Sequence, residues 1–128
     1  VTSYLSSAQV IALHQRALRT YGGEDGVEDL GLLEAALIRP QATFEGYEVY
    51  PRLETKAAAL FQSLIKNRPF TDGNKRVAAA ALVTFLEMNN WKIQSKPGEL
   101  YALTLAVATD RATLEVVASW ATSRKDTI

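Results

Sequence analysis

Apolar residues recur at helical spacing through most of this chain. Val10, Leu13, Ala17, Leu18 and Tyr21 fall on one face of a helix, and Ser6 with Gln9 has the spacing of a capping box that would start it. Gly22 and Gly23 end that helix, because glycine enters the left-handed cap conformation freely. After a loop rich in Glu, Asp and Gly, Asp29 is placed to cap a short second helix carrying Leu30, Leu33, Ala36 and Leu37, stopped by Pro40. A third helix from about Leu53 to Asn67 buries a stripe of Ala57, Leu60, Phe61, Leu64 and Ile65, and its alanines at 57–59 let a neighbour approach closely. A fourth runs to about Asn89 and carries no charge from Val77 to Leu86. A helix that is apolar all round belongs at the centre of a fold.

The remaining segments are less regular. Residues 41–51 intersperse Phe44, Tyr47, Val49 and Tyr50 with Glu45, Gly46 and Glu48, which suits a short hairpin or an aromatic loop. Trp91 to Ser95 alternates and reads as extended. Pro97 is expected to open a fifth helix at its first turn, and Thr113 to cap a sixth carrying Val116, Val117 and Trp120. From Ser123 the chain is polar, and fraying is expected. There is no internal repeat. The expectation is one all-α domain over residues 1–128, with about six helices, a central buried helix and a possible short β element.

Composition narrows the function. The chain has 128 residues, enough to bury a core without covalent staples. Lys plus Arg balances Asp plus Glu at 14 each, which leaves no basic excess for general nucleic-acid binding. There is no cysteine, and His14 is the single histidine, so thiol chemistry is excluded and a zinc site disfavoured. No apolar run is long enough to span a bilayer and no signal-peptide pattern is visible, so the expectation is a soluble cytoplasmic protein without a membrane partner.

The candidate chemistry lies between the third and fourth helices, in Arg68-Pro69-Phe70-Thr71-Asp72-Gly73-Asn74-Lys75-Arg76. The first amides of a helix have no intrahelical partner, and its dipole places positive potential there, so a phosphate is a natural ligand. Gly73 lets a ligand approach the backbone closely. Asn74 has an amide to offer a phosphoryl oxygen, and Lys75 and Arg76 supply charge. Asp72 would repel a bare phosphate. Its two readings are an N-cap of the fourth helix and a Mg²⁺ ligand, since magnesium is commonly held by one or two carboxylates plus substrate phosphates. Pro69 reads as a stiffener of the loop and Phe70 as its anchor in the core.

This run resembles the signature of the Fic/Doc family, His-Pro-Phe-x-(Asp/Glu)-Gly-Asn-(Gly/Lys)-Arg, with agreement at eight of nine positions including the free one. The Gly-Asn-Lys-Arg version is similar to the death-on-curing (Doc) toxin branch. So are Leu13-His14, Tyr21-Gly22-Gly23, the run from Gly31 to Leu37 and Arg39-Pro40-Gln41. The resemblance implies a Fic/Doc fold and transfer of part of a nucleotide to a target-protein hydroxyl, with ATP and Mg²⁺ as cofactors. Most members move AMP. Doc-like members move phosphate to a threonine of elongation factor Tu, stop translation, and pair with a small antitoxin protein. Lys75 fills space that glycine leaves for nucleotide phosphates in the AMP transferases, which favours phosphate transfer. Tyr47, Glu48 and Val49 fall where the family has a target-aligning flap.

One position departs. The family's general base is a histidine at the place of Arg68. Histidine accepts a proton near neutral pH; arginine stays protonated and offers no lone pair. The expectation is an intact ligand site in a form without turnover. Three readings follow: a Doc-like phosphotransferase disabled at Arg68, an AMP transferase, and a non-catalytic antitoxin-binding module. His14 reads as a structural histidine rather than a substitute base.

Overall fold

The Ser6 side chain accepts from the Gln9 amide while Gln9 reaches back to the Ser6 amide, and this capping box opens α1, Ser7–Tyr21. The computed structural model describes residues 1–126 of the chain. Five further helices follow: α2 Leu30–Ile38, α3 Leu53–Asn67, α4 Asn74–Met88, α5 Glu99–Ala108 and α6 Leu114–Ser123. A 3-10 turn at Arg39–Gln41 leads from α2 into a hairpin of β1, Thr43–Phe44, and β2, Tyr47–Glu48. The fold is therefore all-α with one small β element.

α3 forms the axis. Its residues Thr55–Phe61 and Ser63–Ile65 are buried, and α2, α4, α5 and α6 all pack on it. α4 lies beside it and buries Val77, Ala78, Ala81, Leu82, Phe85 and Leu86, while Ala79, Ala80, Val83 and Thr84 are half-buried. The charge-free stretch of α4 thus shares the centre with α3, whose small alanines at 57–59 are fully enclosed.

Several sequence expectations shift. Leu30 and Tyr21 are exposed rather than part of the core stripes, and His14 takes the buried position on α1. Pro97 stands outside α5, which is instead entered through Gly98 at φ 86°, a left-handed cap that suits glycine. The segment from Ser123 is tied down as far as Asp126. The Arg124 guanidinium bonds Glu99, the Asp126 amide donates to the Lys92 carbonyl at 2.8 Å, and Lys125 lies over the Trp91 ring. Thr127 and Ile128 lie outside the described residues.

The hairpin pairs Thr43 with Glu48 and Phe44 with Tyr47, closed by Glu45 at φ 51° and Gly46 at φ 83°. Two successive positive φ values make the tight turn that matches strand twist. All four strand residues are exposed. The hairpin is held from beneath by Lys56 of α3, which is only 3% exposed and donates to the Glu48 carboxylate at 2.8 Å and to the Pro40 carbonyl at 3.3 Å.

Candidate functional site

α3 ends at Arg68 in the left-handed conformation, φ 49° and ψ 57°. That conformation strains a non-glycine residue, and it persists because the loop after it is over-determined. The Pro69 carbonyl accepts from the Glu28 and Asp29 amides at 2.9 and 3.1 Å. Phe70 is 1% exposed and stacks on the His14 ring, with centroids 4.0 Å apart. The Thr71 amide donates to the Gly26 carbonyl at 3.0 Å. The His14 Nε2 lies 2.7 Å from the Asp72 carbonyl, which can only accept, so that nitrogen carries the proton. His14 is therefore a buried pillar under the loop, as its place on α1 suggested.

Asn74 and Asp72 depart from simple expectation. The Asn74 side chain is buried and turned inward: its Oδ1 accepts from the Phe70 amide and its Nδ2 donates to the Phe70 carbonyl, each at 2.9 Å. The amide expected to meet a phosphoryl oxygen instead holds the loop closed. Asp72 is not the N-cap of α4. That position is Gly73, at φ 76° and ψ 20°, and no side chain caps the helix. The exposed Asp72 carboxylate accepts from the Gly73 amide at 2.8 Å through Oδ1 and from the Glu24 amide at 3.3 Å through Oδ2.

The uncapped start of α4 opens into a cavity of about 560 Å³. Arg68, Asp72, Gly73, Asn74, Lys75 and Arg76 line one side. Ile65 and Lys66 of α3 also line it, and Leu100, Tyr101, Thr104 and Ala108 of α5 form a largely apolar wall. That volume suits a small-molecule ligand. Lys66 is paired with Asp110. Among the described residues Arg68, Lys75 and Arg76 form no ion pair and make no side-chain hydrogen bond, so the lining holds three exposed, unpaired cations and a single carboxylate. Such an arrangement attracts a polyanion.

Magnesium fits this donor set. Each Asp72 oxygen accepts a single hydrogen bond and keeps lone-pair capacity toward the solvent side. The described residues contain no cluster of three or more metal-binding side chains, so a magnesium ion here would need a substrate's phosphates to complete its shell. The fold does not bring Tyr47, Glu48 and Val49 to the cavity wall. Tyr47 and Glu48 stay exposed on the hairpin, and Val49 lines a separate cleft shared with α6. Sequence reasoning missed the α5 wall, because Tyr101 and Leu100 carry no local signal of their own.

The description of the family model that matches residues 4–86 is "Fic/DOC family". The chain belongs to the Fic/Doc family. The matched stretch takes in α1 through most of α4, and with it the hairpin and the whole of the 68–76 loop. The chain is 52% identical over 89 residues to "Toxin Doc" of Mycolicibacterium smegmatis, covering 70% of this chain and 66% of that protein. It is 33% identical over 115 residues to "Protein kinase doc" of Escherichia phage P1, covering 90% of each. Both relatives are Doc proteins, the branch that Gly73-Asn74-Lys75-Arg76 resembles. α5, which forms one wall of the cavity, lies beyond the segment that the Fic/Doc model matches.

Proposed function

We propose that this chain is a Doc-like toxin whose cavity at the start of α4 takes Mg²⁺-bound ATP, and whose catalytic form phosphorylates a threonine or serine hydroxyl of a translation factor. The observation that carries the reading is the uncapped helix start, beside one exposed carboxylate and three cations that are unpaired among the described residues. The Gly73–Arg76 backbone and the Lys75 and Arg76 side chains hold the phosphates, and Asp72 holds the metal. Magnesium held there by Asp72 would supply charge neutralisation on the phosphates. The target oxygen attacks the γ-phosphorus, the bond from that phosphorus to the bridging oxygen breaks, and ADP leaves. Such transfers are driven by positioning and electrostatics.

The attacking hydroxyl must also lose a proton, and the residue facing that task is Arg68. A protonated guanidinium cannot take it. General-base loss costs on the order of a hundred- to ten-thousand-fold. This form therefore binds while its turnover falls by that factor. Its partners are a small antitoxin and, by the Doc resemblance, elongation factor Tu, in the cytoplasm.

The Arg68→His variant tests the assignment. Histidine is among the residues that tolerate the left-handed conformation found at this position, so the variant keeps the loop. With γ-labelled ATP it transfers label to the translation factor and arrests growth; with α-labelled ATP it transfers none. Transfer of α-label alone would make the chain an AMP transferase. Tight antitoxin binding with neither transfer would favour the non-catalytic reading, for which Arg68 itself is the supporting observation.

A further inference from the structure

The Tyr21-Gly22-Gly23 turn that ends α1 has no part in the chemistry above, yet it and the residue after it reach two of the cavity's charged groups, Arg76 and Asp72. Tyr21 is 64% exposed. Its ring lies under the Arg76 guanidinium, 4.5 Å from centroid to carbon. The next residues reach Asp72. The Glu24 amide donates to the Asp72 Oδ2 at 3.3 Å. A Cβ at Gly23 would stand 2.8 Å from that same oxygen and 3.2 Å from Leu18 Cδ2, and Gly23 has φ +118°, so glycine alone fits there.

We infer that Tyr21 is a positioning residue for the anion site, holding Arg76 over the face of its ring so that the arginine is placed for phosphate. A guanidinium carries five N–H donors, and a ring that attracts it through its π face offers no lone pair to occupy them. Arg76 has no hydrogen-bond or ion-pair partner among the described residues, so the Tyr21 ring is the contact that restrains it. A free arginine samples many rotamers and loses that freedom on binding; a stacked one has lost part of it beforehand. The turn thus couples the position of the phosphate-binding arginine to that of the carboxylate assigned to the metal. This inference rests on the proposed Mg²⁺–ATP reading of the cavity.

The test is calorimetric titration of Mg²⁺–ATP into the Arg68 chain and its Tyr21 variants. Tyr21→Leu weakens binding by roughly two- to fivefold, the range of an exposed cation–π contact. Tyr21→Phe, which keeps the ring face, restores most of it. In an Arg76→Ala background the same Tyr21→Leu change has no further effect, because the ring acts through the arginine. Urea unfolding is nearly unchanged, since the ring is mostly exposed. Equal weakening in both backgrounds, or no rescue by Phe, overturns the positioning role while leaving the nucleotide site standing. Absence of any Mg²⁺–ATP binding by the parent chain overturns both.

Discussion

Asn74 clasps Phe70 by both edges of its amide, accepting from the Phe70 N–H and donating to the Phe70 carbonyl, each at 2.9 Å. The pair spans the turn in which Asp72 and Gly73 sit and fixes the path of the backbone into α4. An asparagine is the natural residue for this task, because its amide mirrors the donor and acceptor of a peptide group. The cavity's charged residues take their places from this clasp, from the Phe70–His14 stack and from the His14 bond to the Asp72 carbonyl.

Asn74→Ala leaves two buried backbone groups of Phe70 without partners. The expected loss is about 2–4 kcal/mol, from about 1–3 kcal/mol for each orphaned group and partial rescue by water. Urea unfolding measures it. Asn74→Asp keeps the acceptor for the Phe70 N–H, loses the donor and falls between the two.

Lys56 fixes the hairpin from below. Burial alone would pull its pKa down, but the hydrogen bond to Glu48 and the neighbouring Tyr4 outweigh that and raise it above 10.5. A raised lysine pKa contributes stability that is complete below 10.5 and fades only as pH climbs through the higher folded value. The strut is therefore fully charged at neutral pH. Lys56→Met removes it, and the Val49 amide, which donates to the Ala42 carbonyl at 2.9 Å, becomes the reporter. Its hydrogen exchange quickens by roughly fivefold, corresponding to about 1 kcal/mol. The core amides of α3 keep their protection.

The C-terminal segment is sensitive to acid. Arg124 bonds the Glu99 carboxylate, the Lys96 amide donates to it at 2.6 Å, and together they hold the Glu99 pKa below 4.5. A depressed carboxylate pKa stabilises the fold fully above the unfolded value and loses that effect as pH falls through the folded one. Wild type and Glu99→Gln therefore differ most in thermal stability above about pH 5, and their curves converge as pH drops below 4.5.

Much of the fold was legible because local chemistry decided it. Ser6 with Gln9, Asp29 and Thr113 each cap the helix expected of them. The Glu45-Gly46 turn closes the hairpin that the interspersed aromatics suggested. Where packing decided, sequence reasoning fell short. Tyr21, placed by its spacing on the buried stripe of α1, is exposed, because the 68–76 loop folds back over the helix at His14 and not at its C-terminal end. The Ser123–Asp126 segment looked frayed, since its contacts are with Lys92, Glu99 and Trp91, far away in the chain. The site divides in the same way. The cations and the carboxylate were readable from one nine-residue run. The inward turn of Asn74, the α5 wall and the Tyr21–Arg76 contact depend on tertiary neighbours.

The central claim is that the start of α4, with Asp72, holds Mg²⁺-bound ATP even with Arg68 in place. Equilibrium binding of ATP to the unaltered chain, with and without Mg²⁺, tests it directly when repeated on Asp72→Asn. The account predicts saturable binding that tightens with Mg²⁺, and loss of the Mg²⁺ dependence in the variant while metal-free binding holds or improves, as expected when a carboxylate no longer repels the phosphates. No binding by the unaltered chain, or an identical Mg²⁺ response in the variant, would contradict it.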